Sequence, residues 1–176
     1  GKNMKNTILD IKKMKGGKPW SMLTAYDALS ASWIEGVDFP AILVGDSLGM
    51  TTLGYNSTLP VTMNEMIHHT SAVTRVVEKS LVIADMPFMS YQDSIENGLF
   101  NAGRFIKESN ADAVKVEGGV IRSALIKALV NNGIPVLAHI GLTPQSIKEL
   151  GGYRRHGVNE KERKKILLQL LEFQIY

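Results

Sequence analysis

The sequence predicts an α/β fold built on a parallel sheet. Two observations carry this. A short apolar run that ends in a polar or acidic residue, followed by an amphipathic stretch, recurs along the chain. The runs are also near-continuous rather than alternating, as parallel strands covered on both faces require. Strand–helix alternation of this kind implies βα units. A doubly wound sheet and a (β/α) barrel both satisfy the pattern.

In chain order, Thr7 with Asp10 opens a short helix that ends near Gly16. The first strand is read over Ser21–Asp27 and the second over Ala41–Asp46. Thr62 with Glu65 has the spacing of a capping box, in which the Thr oxygen takes an orphan N–H and the Glu reaches back. The third strand is Leu81–Asp85. Asp93 with Glu96 repeats the capping spacing ahead of the next helix. The fourth strand is Ala113–Glu117. Asn131-Asn132-Gly133 stops the helix that follows it, and Pro135 opens the fifth strand, Pro135–His139. Thr143-Pro144 places Pro at the first position of a short helix. Asn159 with Glu162 starts a last helical pattern, of which Ile166–Glu172 is the apolar part, and Phe173-Gln174-Ile175-Tyr176 begins a sixth strand. No low-complexity linker divides the chain, so residues 1–176 are read as one domain. Met4 is the expected natural start.

Composition narrows the function classes. Of 176 residues, 44% are hydrophobic and 21% charged, which excludes disorder on burial grounds. Lys and Arg number 20 against 17 Asp and Glu, and the net charge of +3 is too small to argue for nucleic acid. The absence of cysteine excludes a disulfide scaffold, a Cys-ligated metal and a thiol nucleophile. No run reaches the roughly 18 apolar residues of a membrane helix, and no signal core follows the basic first residues. The expected location is cytoplasmic, without a membrane partner.

Ligands of parallel α/β folds bind at the carboxyl ends of strands. Those ends carry Asp27, Asp46-Ser47, Asp85, Glu117 and His139. Three carboxylates on one rim repel one another unless a cation sits among them, and oxygen ligands at that density suit Mg²⁺. The competing reading of each acid is a cap on the next helix. Lys115 lies two residues before Glu117, so both point to one face, where a buried Lys needs an anionic partner. His139 can donate to a substrate or exchange a proton with it.

Other features carry less. Glu65 and His68 lack the second Glu-x-x-His pair of a di-iron site. Gly45-Asp46-Ser47-Leu48-Gly49-Met50 has neither dinucleotide nor P-loop spacing. Arg154-Arg155-His156 and Lys161 to Lys165 read as a solvated loop and helix face, and Gly151-Gly152-Tyr153 as a mobile loop.

At these residues the sequence resembles the ketopantoate hydroxymethyltransferase family. The matching segments are Leu23-Thr24-Ala25-Tyr26-Asp27, Val44-Gly45-Asp46-Ser47-Leu48-Gly49-Met50, Ser57-Thr58-Leu59-Pro60-Val61-Thr62 and Ala84-Asp85-Met86-Pro87-Phe88. Val114-Lys115-Val116-Glu117-Gly118-Gly119, His139-Ile140-Gly141-Leu142-Thr143-Pro144-Gln145-Ser146 and Gly151-Gly152-Tyr153 follow in the family's order. The resemblance implies a (β/α)₈ TIM barrel, of which this chain holds about five βα units and an N-terminal helix. It implies Mg²⁺ dependence and a role in pantothenate biosynthesis. The reaction it implies is hydroxymethyl transfer from 5,10-methylenetetrahydrofolate to 3-methyl-2-oxobutanoate, giving 2-dehydropantoate. Matched by motif, Asp46, Asp85 and Glu117 are the metal carboxylates, and Asp46, Ser47, Asp85, Lys115 and His139 meet the substrate. A homo-oligomer is also implied.

A full barrel runs to about 250 residues. The family's proton-accepting Glu ends the sixth strand, beyond Tyr176, and Glu172 falls in a helical pattern instead. Two further readings follow. One is a non-catalytic half-barrel that binds Mg²⁺ and a 2-oxo acid. The other is an enzyme of the phosphoenolpyruvate mutase and isocitrate lyase type. Five units also leave two strand edges unpaired.

Overall fold

A computed structural model describes residues 4–146, 148 and 157–173. The elements follow the order α1 (Ile8–Lys13), β1 (Met22–Thr24), α2 (Ala28–Glu35), β2 (Ala41–Val44), α3 (Leu48–Thr51), α4 (Met63–Thr74) and β3 (Leu81–Asp85). Then come α5 (Ile95–Ser109), β4 (Ala113–Glu117), a 3₁₀ turn (Val120–Arg122), α6 (Ser123–Asn131), β5 (Val136–His139), a second 3₁₀ turn (Pro144–Ser146) and α7 (Glu160–Phe173). The five strands form one sheet in chain order, β1-β2-β3-β4-β5, with every pair parallel. This is the expected α/β architecture. β1 and β5 are its edges.

The expected helix starts at Thr7 and Thr62 are full capping boxes. Asn159 Oδ1 accepts from the Glu162 N–H at 2.9 Å. The start at Asp93 is corrected by one residue. Ser94 is the cap, accepting from the Asn97 N–H, while Asp93 accepts from the Asn97 side chain. Ser wins because its short hydroxyl reaches the third N–H while its own backbone stays extended. The expected sixth strand is corrected at its start: Phe173 ends α7, and residues 174–176 lie outside the described part. The loop at Gly151-Gly152-Tyr153 and the basic Arg154-Arg155-His156 lie outside it too.

Strand periodicity separates the sheet's two faces. Ile42, Val44, Val82, Ala84, Val114 and Val116 pack under helices α2 to α6 in the larger core. The alternate residues Ala41, Leu81, Ile83 and Ala113 face the other way and meet Ile8 and Ile11 of α1. The chain before α1 is tied to the same end of the sheet. The Asn6 side chain donates to the Pro40 carbonyl at 3.1 Å, and Lys5 pairs with Asp112 at 2.6 Å. Along this second face the residues change character from amino to carboxyl end. β3 reads Leu81, Ile83, Asp85, and β4 reads Ala113, Lys115, Glu117. α1 covers the apolar end, and the polar end forms the rim.

Candidate functional site

The rim is assembled from the ends of β2 to β5. Register pairs Asp85 with Lys115 and Glu117 with His139. Lys115 Nζ donates to Asp85 Oδ1 at 2.5 Å, with the two side chains 12% and 4% exposed. The expected anionic partner of Lys115 is therefore Asp85. His139 Nδ1 stands 3.2 Å from Glu117 Oε1.

Asp46 enters from the turn after β2. Its N–H donates to Asp85 Oδ2 at 3.1 Å, which binds the two strand ends together. Gly45 makes room for this. A Cβ there would stand 3.0 Å from Ser47 Oγ and 3.4 Å from Asp85 Oδ2. Ser47 begins α3 but its side chain does not cap that helix. Its Oγ is instead 2.8 Å from the Tyr26 hydroxyl. The Tyr26 carbonyl accepts from His69 Nδ1 at 2.6 Å.

Asp46, Asp85 and Glu117 are all buried. Burial pushes the Asp46 carboxyl up to about 7, and the charge of Asp85 adds to it, then that of Glu117. Burial also raises Asp85, against the opposing pull of Lys115. Three acids thus share a buried rim with one lysine, and burial with the neighbouring negative charge disfavours the ionised forms of Asp46 and Asp85.

Two residues that sequence reasoning missed hold this arrangement. Gln145, 6% exposed, follows Pro144 in the 3₁₀ turn after β5. Its backbone N–H donates to Glu117 Oε2 at 3.0 Å, and its side-chain amide donates to Asp46 Oδ2 at 2.9 Å. Tyr91, 2% exposed, donates to Gln145 Oε1 at 2.7 Å and accepts from the Glu117 N–H at 2.9 Å. Gln145 lies in a quoted segment, so its position was visible, while its burial was not. Tyr91 sits in a loop with no local signal.

Two sequence candidates lie elsewhere. Asp27 is the cap of α2, accepting from the Ser30 N–H at 2.7 Å. Glu65 serves its capping box and accepts from the Tyr55 hydroxyl at 2.5 Å.

The donor set fits a hard dication at Asp46 and Asp85. They are adjacent, oxygen-only and in negative excess, the chemistry that Mg²⁺ takes while keeping open positions. Each Asp85 oxygen accepts one hydrogen bond, from Lys115 and from the Asp46 N–H, and each Glu117 oxygen likewise meets one partner, His139 or the Gln145 N–H. Asp46 alone of the three acids therefore has a carboxylate oxygen with no hydrogen-bond partner among the described residues. Among the described residues no three His, Asp or Glu side chains converge as a finished ligand shell.

With this geometry in view, the chain matches a family model, ketopantoate hydroxymethyltransferase, over residues 5–175. The chain belongs to the ketopantoate hydroxymethyltransferase family. It is 53% identical over 165 residues to the 3-methyl-2-oxobutanoate hydroxymethyltransferase of Clostridium botulinum (strain 657 / Type Ba4), covering 93% of this chain and 60% of the relative. It is 54% identical over 162 residues to the enzyme of that name from Carboxydothermus hydrogenoformans, covering 92% and 59%. The chain thus spans about 60% of the length of these curated relatives. Among solved structures it is similar to oxaloacetate acetylhydrolase in complex with 3,3-difluorooxalacetate, at a TM-score of 0.58 and 15% identity over 80% of this chain and 53% of that one. It is also similar to 2,3-dimethylmalate lyase, a member of the PEP mutase/isocitrate lyase superfamily, at 0.57 and 17% over 77% and 51%. At that identity the likeness is one of fold alone: the sheet corresponds to part of a TIM barrel. Among the described residues no helix is long and apolar enough to cross a membrane.

Proposed function

We propose that this chain carries the metal- and substrate-binding rim of a 3-methyl-2-oxobutanoate hydroxymethyltransferase, with 5,10-methylenetetrahydrofolate as one-carbon donor. The observation that carries the reading is the Asp46–Asp85 pair beside Lys115 at the polar end of one sheet face. Family membership supports the choice of 3-methyl-2-oxobutanoate as substrate.

Asp46 and Asp85 would hold Mg²⁺, which as a Lewis acid stabilises negative charge on the oxygens of a bound 2-oxo acid. The protein side chains position that acid. Lys115 has three N–H donors, one of which serves Asp85, leaving two for the substrate carboxylate. Tyr26 orients the Ser47 hydroxyl, a further donor to that carboxylate. With Nδ1–H donating to Glu117, His139 offers Nε2 to the substrate. Fixing C3 in this way prepays the orientation of one reactant for its deprotonation and for its attack on the methylene carbon of the folate. The proton acceptor at C3 is the family's sixth-strand glutamate, so the residues described bind and orient. The assembly is a homo-oligomer.

The test is a ligand panel read by saturation-transfer NMR in Mg²⁺ buffer, with 3-methyl-2-oxobutanoate, phosphonopyruvate and 2,3-dimethylmalate. The expected result is preference for 3-methyl-2-oxobutanoate, lost in Asp46→Asn. Preference for phosphonopyruvate, or cleavage of 2,3-dimethylmalate, would establish the mutase and lyase reading instead. With 5,10-methylenetetrahydrofolate added to the 3-methyl-2-oxobutanoate sample, formation of 2-dehydropantoate by the chain alone would show that a base within it replaces the sixth-strand glutamate.

A further inference from the structure

Gln145, which follows β5, is the residue that bonds to the ends of the other three rim strands, β2, β3 and β4. Its side-chain amide is saturated. Nε2 donates to Asp46 Oδ2 at 2.9 Å and to the Met86 carbonyl at 2.9 Å. Oε1 accepts from Tyr91 at 2.7 Å and from Gln92 Nε2 at 2.8 Å. A flip of the amide would set Oε1 against a carboxylate and a carbonyl and Nε2 against the Gln92 donor, so one orientation is fixed. Asp46 Oδ2 is thereby engaged. Oδ1 has no hydrogen-bond partner among the described residues, yet it is not among the buried orphan atoms, so it keeps some exposure.

We propose that Gln145 is a positioning residue that locks Asp46 in one rotamer and so selects Oδ1 as the oxygen offered to metal and substrate. The proposal rests on the reading that Asp46 is a metal and substrate ligand. Its chemistry is that of an outer partner that orients a ligand, whose removal lowers metal affinity by about 10–100-fold. Gln145 acts through Asp46 and touches neither the metal nor the reacting atoms. Tyr91 and Gln92 act one step further back, by holding Oε1.

Mn²⁺ is the probe, read by electron paramagnetic resonance with the chain in hand, alongside calorimetric affinity and a melting curve. The wild type is expected to bind Mn²⁺ with one well-defined spectrum. Gln145→Met keeps the length and removes both donors. It is expected to weaken Mn²⁺ by about tenfold or more and to broaden the spectrum, as Asp46 samples several rotamers. A purely structural role would lower the melting temperature and leave the affinity and spectrum of the folded protein unchanged, which would overturn the proposal. Gln92→Ala strips one donor from Oε1 and touches no carboxylate. It carries the test should Gln145→Met fail to fold. Weakening of Mn²⁺ by about two- to fivefold, a fraction of the full outer-partner effect, is expected there, and unchanged binding would overturn the proposal. Asp46→Asn separates the two levels. Loss of Mn²⁺ in Asp46→Asn with no effect of Gln145→Met refutes the positioning role alone. Absence of wild-type binding, or its persistence in Asp46→Asn, refutes the ligand reading beneath it.

Discussion

Lys115 and Asp85 show how one buried pair serves both stability and the site. Each alone would be a charge with little water around it, since the side chains are 12% and 4% exposed. Removing one partner of such a pair costs about 3–5 kcal/mol, because the other is left uncompensated, whereas replacing both by neutral groups is far cheaper. Lys115→Met is therefore expected to lower the unfolding free energy from urea titration by an amount in that range, and Lys115→Met/Asp85→Asn to recover most of it. Equal unfolding free energies for Lys115→Met and wild type would show that the pair is not buried as described. The pairing itself was half legible. The i, i+2 spacing put Lys115 and Glu117 on one face, and register decided that Lys115 meets Asp85 rather than Glu117. Asp27 and Asp46 show the opposite case. Both follow an apolar run, yet one caps a helix and the other is buried among acids. A Ser three residues after Asp27 supplied the competing N–H, and nothing local announced the burial of Asp46. Gln145 was illegible as a site residue because its partners lie up to 99 positions away.

Among elements, the strands and most helix starts were legible because their signals are local. Apolar runs and capping spacings act within a few residues. The connection between α4 and β3 is different. It is held by Glu35 at the end of α2, whose carboxylate accepts from the backbone N–H groups of Glu78, Lys79 and Ser80 and from the Ser80 hydroxyl at 2.8 Å. Partial burial alone would raise this carboxyl. The bonds from Ser80 and Lys79 outweigh it and hold the group below its ordinary value of 4.5. A depressed folded value means stability that is complete above 4.5 and is lost as pH falls through the folded value. Glu35→Gln is therefore expected to be less stable than wild type at pH 7, with the gap closing as pH drops below 4.5. Melting curves from pH 7 to pH 3 check this, and a pH-independent gap would contradict it. Packing within the rim-side helix is equally specific. A Cβ on Gly49 in α3 would run into Val61 Cγ2 and stand 3.2 Å from the Tyr55 ring. Val61 is buried and β-branched, so it has little room to turn. Gly49→Ala is expected to cost about 1–3 kcal/mol by overpacking, measured by urea unfolding.

The whole sheet is polarised. α1 seals the apolar ends of the strands, and the acids gather at the other end, the rim at which parallel α/β folds in general bind their ligands. Chain order of the strands was not decided by the residues, since the pattern fits a doubly wound sheet as well. The ordered motifs of the family resolved it, and the sequential sheet β1 to β5 agrees with them. A rim overloaded with negative charge has a thermodynamic signature for the molecule as a whole. A cation that binds only the folded state stabilises it by mass action, about 2.7 kcal/mol at a hundred times its Kd. Mg²⁺ is expected to raise the melting temperature of the wild type and to have no such effect on Asp46→Asn. Association of the chain into a homo-oligomer is expected to appear in sedimentation velocity as a concentration-independent species larger than 19.3 kDa.

The measurement that bears most directly on the central claim is calorimetric titration of 3-methyl-2-oxobutanoate into the chain, with Mg²⁺ and with the metal chelated. Saturable binding that requires Mg²⁺, and that Asp85→Asn removes, is the result expected of a rim in which acids, metal and 2-oxo acid form one site. Binding of equal strength without Mg²⁺, or unaltered in Asp85→Asn, would contradict it.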